Sequence, residues 1–326
     1  MNRRQFLFSA VAVLAASGLH AQAPRLRRVA IAVPTAPDVP NEGLPAFRQQ
    51  MTELGWVEGR NIEYVYAYAS GDASRYEAVV AELLAQKPDV LYAYFGAMAL
   101  IAKKLTQDVP IVFTIASNPE KDGLVASLAR PGGNVTGAST RAFELDAKRV
   151  ELLREIRPGM RRVAMLVNPA APVVAKLFIE RYGVHVRKLG MQLLTAEVRS
   201  EQEMRPAFDR IVREGAQGLL GTADPTHLFQ LRQSLVSNAA RVNLPAIYVD
   251  ERYVDAGGLL SYGTDNVDQL RRGAPYVDKI LRGAKPADLP VEEPTNFRMV
   301  LNLKAAKALK ITIPQSVLVR ADRVIE

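Results

Sequence analysis

Short polar and aromatic side chains follow the apolar segments of this sequence, where they could hold a small molecule. They are Thr35, Asp38, Tyr94, Phe95, Ser117 and Asn118 in the first half, with Gly96 as a further candidate beside them, and Asn168, Asp224, Tyr248, Asp250 and Tyr262 in the second half. Hydroxyl and amide groups can hydrogen-bond a carboxylate, and an aspartate can bind an amino group. An aromatic face can stack on a planar group or attract a cation. This set of side chains predicts reversible ligand binding.

Several of these candidates also have an ordinary structural interpretation. Tyr94 and Phe95 are adjacent in a predicted strand, so at most one of them faces a cleft while the other fills the core. Ser117 and Asn118 could form a simple turn, and Tyr262 could belong to a hinge or to a pocket wall. These alternatives stay open at the level of sequence.

The acidic and amide candidates leave a similar choice. Asn168 and Asp224 could instead cap the helices that follow them. Asp250 and Glu251 could form a general acid and base pair, although we favour a contact with a ligand or a hinge partner. No G-x-S-x-G, P-loop or G-x-G-x-x-G motif occurs, and no spacing singles out a Ser-His-Asp triad. We therefore predict that the protein is not an enzyme and uses no cofactor.

The segments that must position these residues are short apolar strands alternating with amphipathic helices. This alternation predicts parallel sheets covered by helices on both faces. Ligands of such sheets bind beyond the carboxyl ends of the strands, which is where the candidate residues stand. The predicted strands are 29–33, 62–69, 90–95 and 111–115 in the first half, and 163–167, 192–198, 218–221 and 246–249 in the second half.

The two halves of the sequence resemble each other at a nearly constant offset. Segments 27–33 and 109–113 recur, in the same order, as 161–167 and 244–248. Ordered matches of this kind indicate an internal duplication. The predicted fold class is therefore α/β, with two Rossmann-like doubly wound parallel-sheet lobes whose strand ends face each other across a cleft.

The N-terminal segment, residues 1–23, has the three parts of a secretory signal peptide. Arg3 and Arg4 precede an apolar run, and Ala21 and Ala23 provide an A-x-A cleavage pattern. The run, 6–19, is shorter than the roughly 20 residues that span a bilayer. We predict a periplasmic protein, exported by the Sec or the twin-arginine route and cleaved after Ala21 or Ala23. The sequence has no cysteine for a lipid anchor.

The composition narrows the classes of site and partner. The 326 residues include no cysteine and three histidines, of which His20 lies in the predicted signal. Disulfides and thiolate sites are excluded, and two remaining histidines are too few for a zinc site, so we predict no metal. The net charge of +8 is spread along helices, which argues against a nucleic-acid partner. We expect a monomer.

Six longer motifs carry a family resemblance over nearly the whole exported chain. They are FRQQMTELGWVEGRN at 47–61, GLVASLARPGGNVTG at 123–137, AGGLLSYG at 256–263, YVDKILRGAKPADLPV at 276–291, NLKAAKALKITI at 302–313 and ADRVIE at 321–326. The sequence resembles periplasmic substrate-binding proteins of ABC transporters, in the branch with TrpX-like proteins that bind tryptophan or tyrosine. It departs from them at 94–97, where Tyr-Phe-Gly-Ala replaces a loop of small residues.

The resemblance implies a type I periplasmic binding protein fold with a hinge of three chain crossings. The implied lobes are 24–140 plus about 257–287, and 141–256 plus about 288–326. The implied function is to close on a small ligand, an aromatic or apolar amino acid or a related carboxylate, and to deliver it to an ABC permease in the inner membrane. The alternatives are a ligand-sensing subunit of a signalling system and, more remotely, an exported α/β hydrolase.

Overall fold

Two mostly parallel β-sheets, each with helices on both faces, form the protein. The computed structural model describes residues 25–39, 41–170, 172–222 and 230–326; the predicted signal peptide lies outside these residues. The first sheet has the strand order β2-β1-β3-β4-β5, and the second has the order β12-β11-β10-β9-β8-β6-β7. The predicted α/β class with two doubly wound lobes is confirmed.

The first sheet and its helices come from the N-terminal half. In β1, side chains alternate between two cores, with Ala30 and Ala32 facing one and Val29 and Ile31 the other. This is the pattern expected of a strand covered on both faces. The elements are β1 (Arg27–Val33), α1 (Gly43–Glu53), β2 (Ile62–Tyr68), α2 (Tyr76–Ala85), β3 (Val90–Tyr92), α3 (Gly96–Leu105), β4 (Ile111–Ala116) and β5 (Val135–Ser139).

The second sheet is built mainly from the C-terminal half, with one antiparallel pair between β10 and β11. Helices α4 and α5 cover one face, and α6 and α7 cover the other. The elements are α4 (Ala142–Ile156), β6 (Arg162–Val167), α5 (Pro172–Lys188), β7 (Gln192–Glu197), α6 (Glu201–Arg213), β8 (Leu219–Leu220), α7 (Arg232–Arg241), β9 (Ala246–Tyr248), α8 (Arg252–Asp255), β10 (Leu260–Gly263), α9 (Asn266–Arg271), α10 (Gly273–Leu281), β11 (Arg298–Asn302), α11 (Leu303–Ala308), α12 (Gln315–Leu318) and β12 (Arg323–Ile325).

The internal duplication is visible in the strand order. In the first sheet β1 lies between β2 and β3, and β4 follows; in the second sheet β6 lies between β7 and β8, and β9 follows. The first strand of each half is therefore a central strand with the same neighbours. As a result, the loops that follow equivalent strands occupy equivalent places in the two lobes.

The chain passes between the two sheets three times. Helix α4 leaves the first sheet after β5, helices α9 and α10 return to pack on it, and β11 re-enters the second sheet. The segment of about 257–287, which the family resemblance implied for the first lobe, is divided in the structure. Its strand β10 pairs with β9 in the second sheet, and Leu260 of this strand is fully buried in that core. We propose a lobe boundary near residue 264.

The Gly-rich segment 131–137 ends inside strand β5. Gly137 has a φ of +151°, and a Cβ atom there would lie 1.8 Å from the carbonyl oxygen of Phe113 on β4. Only glycine permits that approach of two backbones. The residue thus fixes the edge of the first sheet next to the first crossing.

Candidate functional site

The loop after β1 borders a cleft of about 640 Å³ between α1 and the end of β2. Thr35 and Asp38, both predicted site residues, line it together with Tyr68. The Thr35 hydroxyl is buried and has no hydrogen-bond partner within the described residues. Asn41 orients the adjoining helix, since its side-chain oxygen accepts hydrogen bonds from the first backbone amides of α1.

The two adjacent aromatic candidates after β3 point in different directions. Tyr94 is buried in the first-sheet core, beside Tyr92 at 5.7 Å between ring centroids, and its hydroxyl accepts a hydrogen bond from Asn41. Burial raises the pKa of the Tyr94 phenol. Phe95 is half-buried and begins α3, with its ring edge-on to Tyr76. Of the pair, Phe95 is the less buried.

Gly96 allows α3 to start close against β4. A Cβ atom at this position would lie 3.1 Å from the Ala116 side chain and 3.2 Å from the Ile115 carbonyl oxygen. The helix N-terminus and the end of β4 therefore lie side by side. Ser117 and Asn118 follow immediately on the same edge.

Ser117 connects the two lobes, whereas Asn118 closes a turn. The Ser117 hydroxyl accepts a hydrogen bond of 2.7 Å from the Nη1 atom of Arg181, which lies on α5 in the second lobe. The Asn118 side-chain oxygen accepts from the backbone amide of Lys121, 3.1 Å away. The turn interpretation therefore holds for Asn118, whereas a ligand role for Ser117 stays a prediction.

The second-lobe candidates are mostly held by neighbouring groups. Asn168 accepts a hydrogen bond from the Ala170 amide and so forms the turn that leads toward α5. Tyr248 is buried and stacks on Tyr253, with centroids 4.7 Å apart. Burial raises the pKa of the Tyr248 phenol. Asp224 lies outside the described residues, so its predicted role stays a prediction.

Asp250 lies at the end of the second sheet, in a smaller cavity of about 220 Å³ near the chain crossings. Its carboxylate accepts hydrogen bonds of 2.8 Å from both Nε and Nη2 of Arg252. Glu42 from the first lobe and Thr264 from the crossing segment line the same cavity. This position suits the hinge-partner interpretation of Asp250.

A buried ion cluster, which the sequence reasoning missed, lies in the second lobe, next to the contact with Ser117 of the first lobe. Asp146 on α4 binds Arg149 at 2.7 Å and also pairs with Arg181 on α5. Arg149 donates from Nε to the carbonyl oxygen of Tyr262 at 2.6 Å, at the end of β10. Tyr262 is thereby placed at the rim of the second sheet. The i, i+3 spacing of Asp146 and Arg149, which places the two side chains on one face of a helix, was the available signal.

His185 adjoins this cluster on α5. Its ring packs against Phe143 with centroids 4.4 Å apart, and its Nε2 atom is buried without a hydrogen-bond partner among the described residues. Burial lowers the pKa of His185 below its ordinary value. The negative charge of Asp146 raises this pKa and the positive charge of Arg181 lowers it, but burial has the largest effect. The surroundings of the ring therefore favour the neutral imidazole over the charged form.

The described residues contain no group of three or more histidine, cysteine, aspartate or glutamate side chains arranged to hold a metal ion. Within the same residues, every helix is too short or too polar to cross a membrane. The groups at the strand ends are hydrogen-bond donors, acceptors and aromatic faces. Such an arrangement can hold a polar small molecule between two sheets.

Comparison with known proteins identifies similar chains. The family model described as ABC transporter substrate binding protein matches residues 28–325. A curated relative named tyrosine-binding protein, from Clostridioides difficile, is 26% identical over 265 residues, which are 81% of this chain and 75% of the relative.

Two solved structures share the fold over most of this chain. A conserved domain protein from Vibrio cholerae is 28% identical, with a TM-score of 0.79. The match covers 92% of this chain and 100% of the Vibrio cholerae chain. An ABC domain in complex with L-Trp from Streptococcus pneumonia is 24% identical, with the same TM-score of 0.79 and the same coverages of 92% and 100%.

Proposed function

Because this chain belongs to the family of ABC transporter substrate-binding proteins, we propose that it is the periplasmic solute-binding component of an ABC importer. Its relatives are substrate-binding proteins and not enzymes. The proposed ligand is an aromatic or apolar amino acid, or a related carboxylate. The protein would deliver it to a permease in the inner membrane.

The observation that carries this proposal is the direct contact between a strand end of the first lobe and helix α5 of the second lobe. Ser117 follows β4 of the first sheet, and its hydroxyl binds Arg181 of the second lobe. A ligand held at such a junction contacts both lobes only when they are close together. It therefore stabilises the closed form by its differential affinity, which is how a binding protein signals occupancy to a permease.

The choice of an amino acid rests on the types of side chain and on the relatives. Ser117 and Arg181 offer donors to a carboxylate, and Phe95 offers an aromatic edge beside the same strand end. The curated relative is named for tyrosine, and one structural neighbour contains L-Trp. Export to the periplasm is supported by the signal features of residues 1–23.

A thermal-shift screen of the mature protein tests this function. The twenty amino acids, a set of sugars and a set of nucleosides are added separately at equal concentration. A ligand at one hundred times its Kd adds about 2.7 kcal/mol of stability, which is readily detected. We expect stabilisation by one or more aromatic or apolar amino acids. Stabilisation by sugars or nucleosides alone would refute the amino-acid proposal.

A further inference from the structure

Strand β2 forms one edge of the first sheet, and its outer side is open. Arg27 donates its backbone N–H to the carbonyl oxygen of Asn61, so the odd-numbered residues along this edge bond to β1. The backbone groups of the even-numbered residues point the other way, because bonds to one neighbour use alternate residues of a parallel strand. These residues are Tyr64, Tyr66 and Tyr68, and within the described residues their outward N–H and C=O groups have no partner.

The other three sheet edges are protected, which sets β2 apart. At β5, Glu292 of the third crossing exchanges backbone hydrogen bonds with Gly137 and Ser139. At β7, the guanidinium group of Arg210 donates to the outward carbonyl oxygen of Thr195 at 2.7 Å. Strand β12 has only three residues. Covered edges and short edges are the usual means by which proteins prevent unwanted strand pairing, so the open edge of β2 is an exception.

The composition of β2 also favours pairing with another strand. Its seven residues, IEYVYAY, include no proline and no lysine, and its one charged residue, Glu63, pairs with Arg28 at 2.8 Å. Aromatic and β-branched residues are those preferred in strands. The rings of Tyr66 and Tyr68 stack on each other with centroids 6.3 Å apart. An uncharged aromatic strand with free backbone groups is a template for another chain.

The open edge is short and has defined ends. Before it, the carbonyl oxygen of Ile62 accepts a hydrogen bond of 2.9 Å from the amide of Gly59, so Ile62 is already occupied. After it, Ser70 and Gly71 have left-handed φ values of +56° and +79°, which turn the chain away. A second strand therefore has residues 64–68 to pair with and no others.

A second copy of β2 matches this edge in one antiparallel register. To use all three outward tyrosines, Tyr66 must lie opposite its own copy, and Tyr64 opposite Tyr68 of the second copy. In that register Glu63 faces Ala69 of the second copy, so no like charges meet. The arrangement has two-fold symmetry, and each contact occurs twice.

We propose that the protein forms a homodimer by antiparallel pairing of β2 with β2 of a second copy, centred on Tyr66. Each copy contributes a five-stranded sheet, so the two first lobes share one continuous sheet. The contact is closed, because each copy uses its open edge once. The inference replaces the expectation of a monomer, which took no account of the sheet edges. It does not involve the ligand, so it stands or falls separately from the proposed function.

Analytical ultracentrifugation of the mature protein at a series of concentrations tests the inference. Tyr66→Lys places two ammonium groups opposite each other at the two-fold axis, and Thr195→Lys makes the same change on the protected edge of β7. We expect a reversible dimer for the wild type and for Thr195→Lys. Tyr66→Lys should raise the dissociation constant of the dimer at least about tenfold, because like charges oppose each other and a central tyrosine is lost.

Cysteine cross-linking tests the register and does not require the lysine variant to fold. The sequence has no cysteine, so an introduced cysteine has only its copy as a partner. Opposite residues of a hydrogen-bonded antiparallel pair have Cα atoms about 5.5 Å apart, which a disulfide spans. Tyr66→Cys should therefore cross-link by itself under mild oxidation. Tyr64→Cys should cross-link only when it is mixed with Tyr68→Cys.

Three results would overturn the inference. One is a wild type that stays monomeric at every concentration, since the edge then serves a different chain or none. Another is a Tyr66→Lys variant that dimerises as tightly as the wild type. The third is cross-linking of Thr195→Cys as fast as that of Tyr66→Cys, which would mean that the disulfides form by random collision. Thermal melting of each variant establishes that it is folded.

Discussion

Replacing Asp146 by asparagine is expected to destabilise the ligand-free protein strongly. The asparagine amide has nearly the shape of the carboxylate but no charge. It would leave Arg149 and Arg181 buried and close together, with no counterion between them. The side chain of Asp146 is only 1% exposed, so water cannot replace the lost carboxylate.

The magnitude follows from the burial of the cluster. Removing one partner of a buried ion pair typically costs about 3–5 kcal/mol, because the remaining charge is uncompensated. At about 2–4 °C per kcal/mol for a chain of this size class, the melting temperature should fall by at least about 6 °C. Asp268→Asn provides a matched control, because Asp268 also pairs with two arginines, Arg271 and Arg272, but is 32% exposed. That change should cost about 0–1 kcal/mol.

Urea unfolding and thermal melting of both variants at low and high salt measure these effects. Salt screens exposed pairs far more than buried ones, so the small effect of Asp268→Asn should shrink in about 1 M NaCl. The effect of Asp146→Asn should persist. Equal losses of stability in the two variants, or a loss in Asp146→Asn that disappears with salt, would show that burial does not determine the strength of the cluster.

Two further predictions concern the sheet edge and the buried histidine. Gly137→Ala should lower the free energy of unfolding by about 3 kcal/mol or more, because backbone strain and a clash with the neighbouring strand add together. Gly133→Ala is the control: its φ is +65° but no atom lies near its Cβ position, so the change should cost only about 1–2 kcal/mol. Similar urea midpoints for the two variants would contradict this. The folded pKa of His185 lies below its ordinary value of 6.5, so the stability it contributes is lost as the pH falls below that value. When the pH is lowered from about 7.5 to about 5.5, the wild type should therefore lose more stability than His185→Gln. Thermal melting at the two pH values measures this, and an equal loss in both proteins would refute it.

Much of the fold could be predicted from the sequence because it depends on local patterns. The predicted strand 29–33 is the core of β1, and the predicted strand 111–115 is β4 with one residue added. The repeat of 27–33 at 161–167 corresponds to two central strands with the same neighbours. Apolar runs and internal repeats can be identified in the sequence alone, because they do not depend on which segments pack together in the fold.

The candidate site was predictable only in its general location. The strand-end rule led to Ser117 and Tyr262, and both lie at the junction of the lobes. The same rule also selected Tyr94 and Tyr248, which the structure places in the cores. The sequence could not separate these cases, because which side of a strand end faces the cleft depends on the helices packed against each sheet.

The sequence by itself determined the two-lobed α/β architecture, the family and the strand ends at which a ligand could bind. Only the tertiary structure brought Arg181 to Ser117, residues that are far apart in the chain and on different lobes. Their meeting depends on the three crossings that set one sheet against the other. Local side-chain patterns encode what each sheet buries, whereas the groups that face each other across a cleft are decided by how the two sheets are packed.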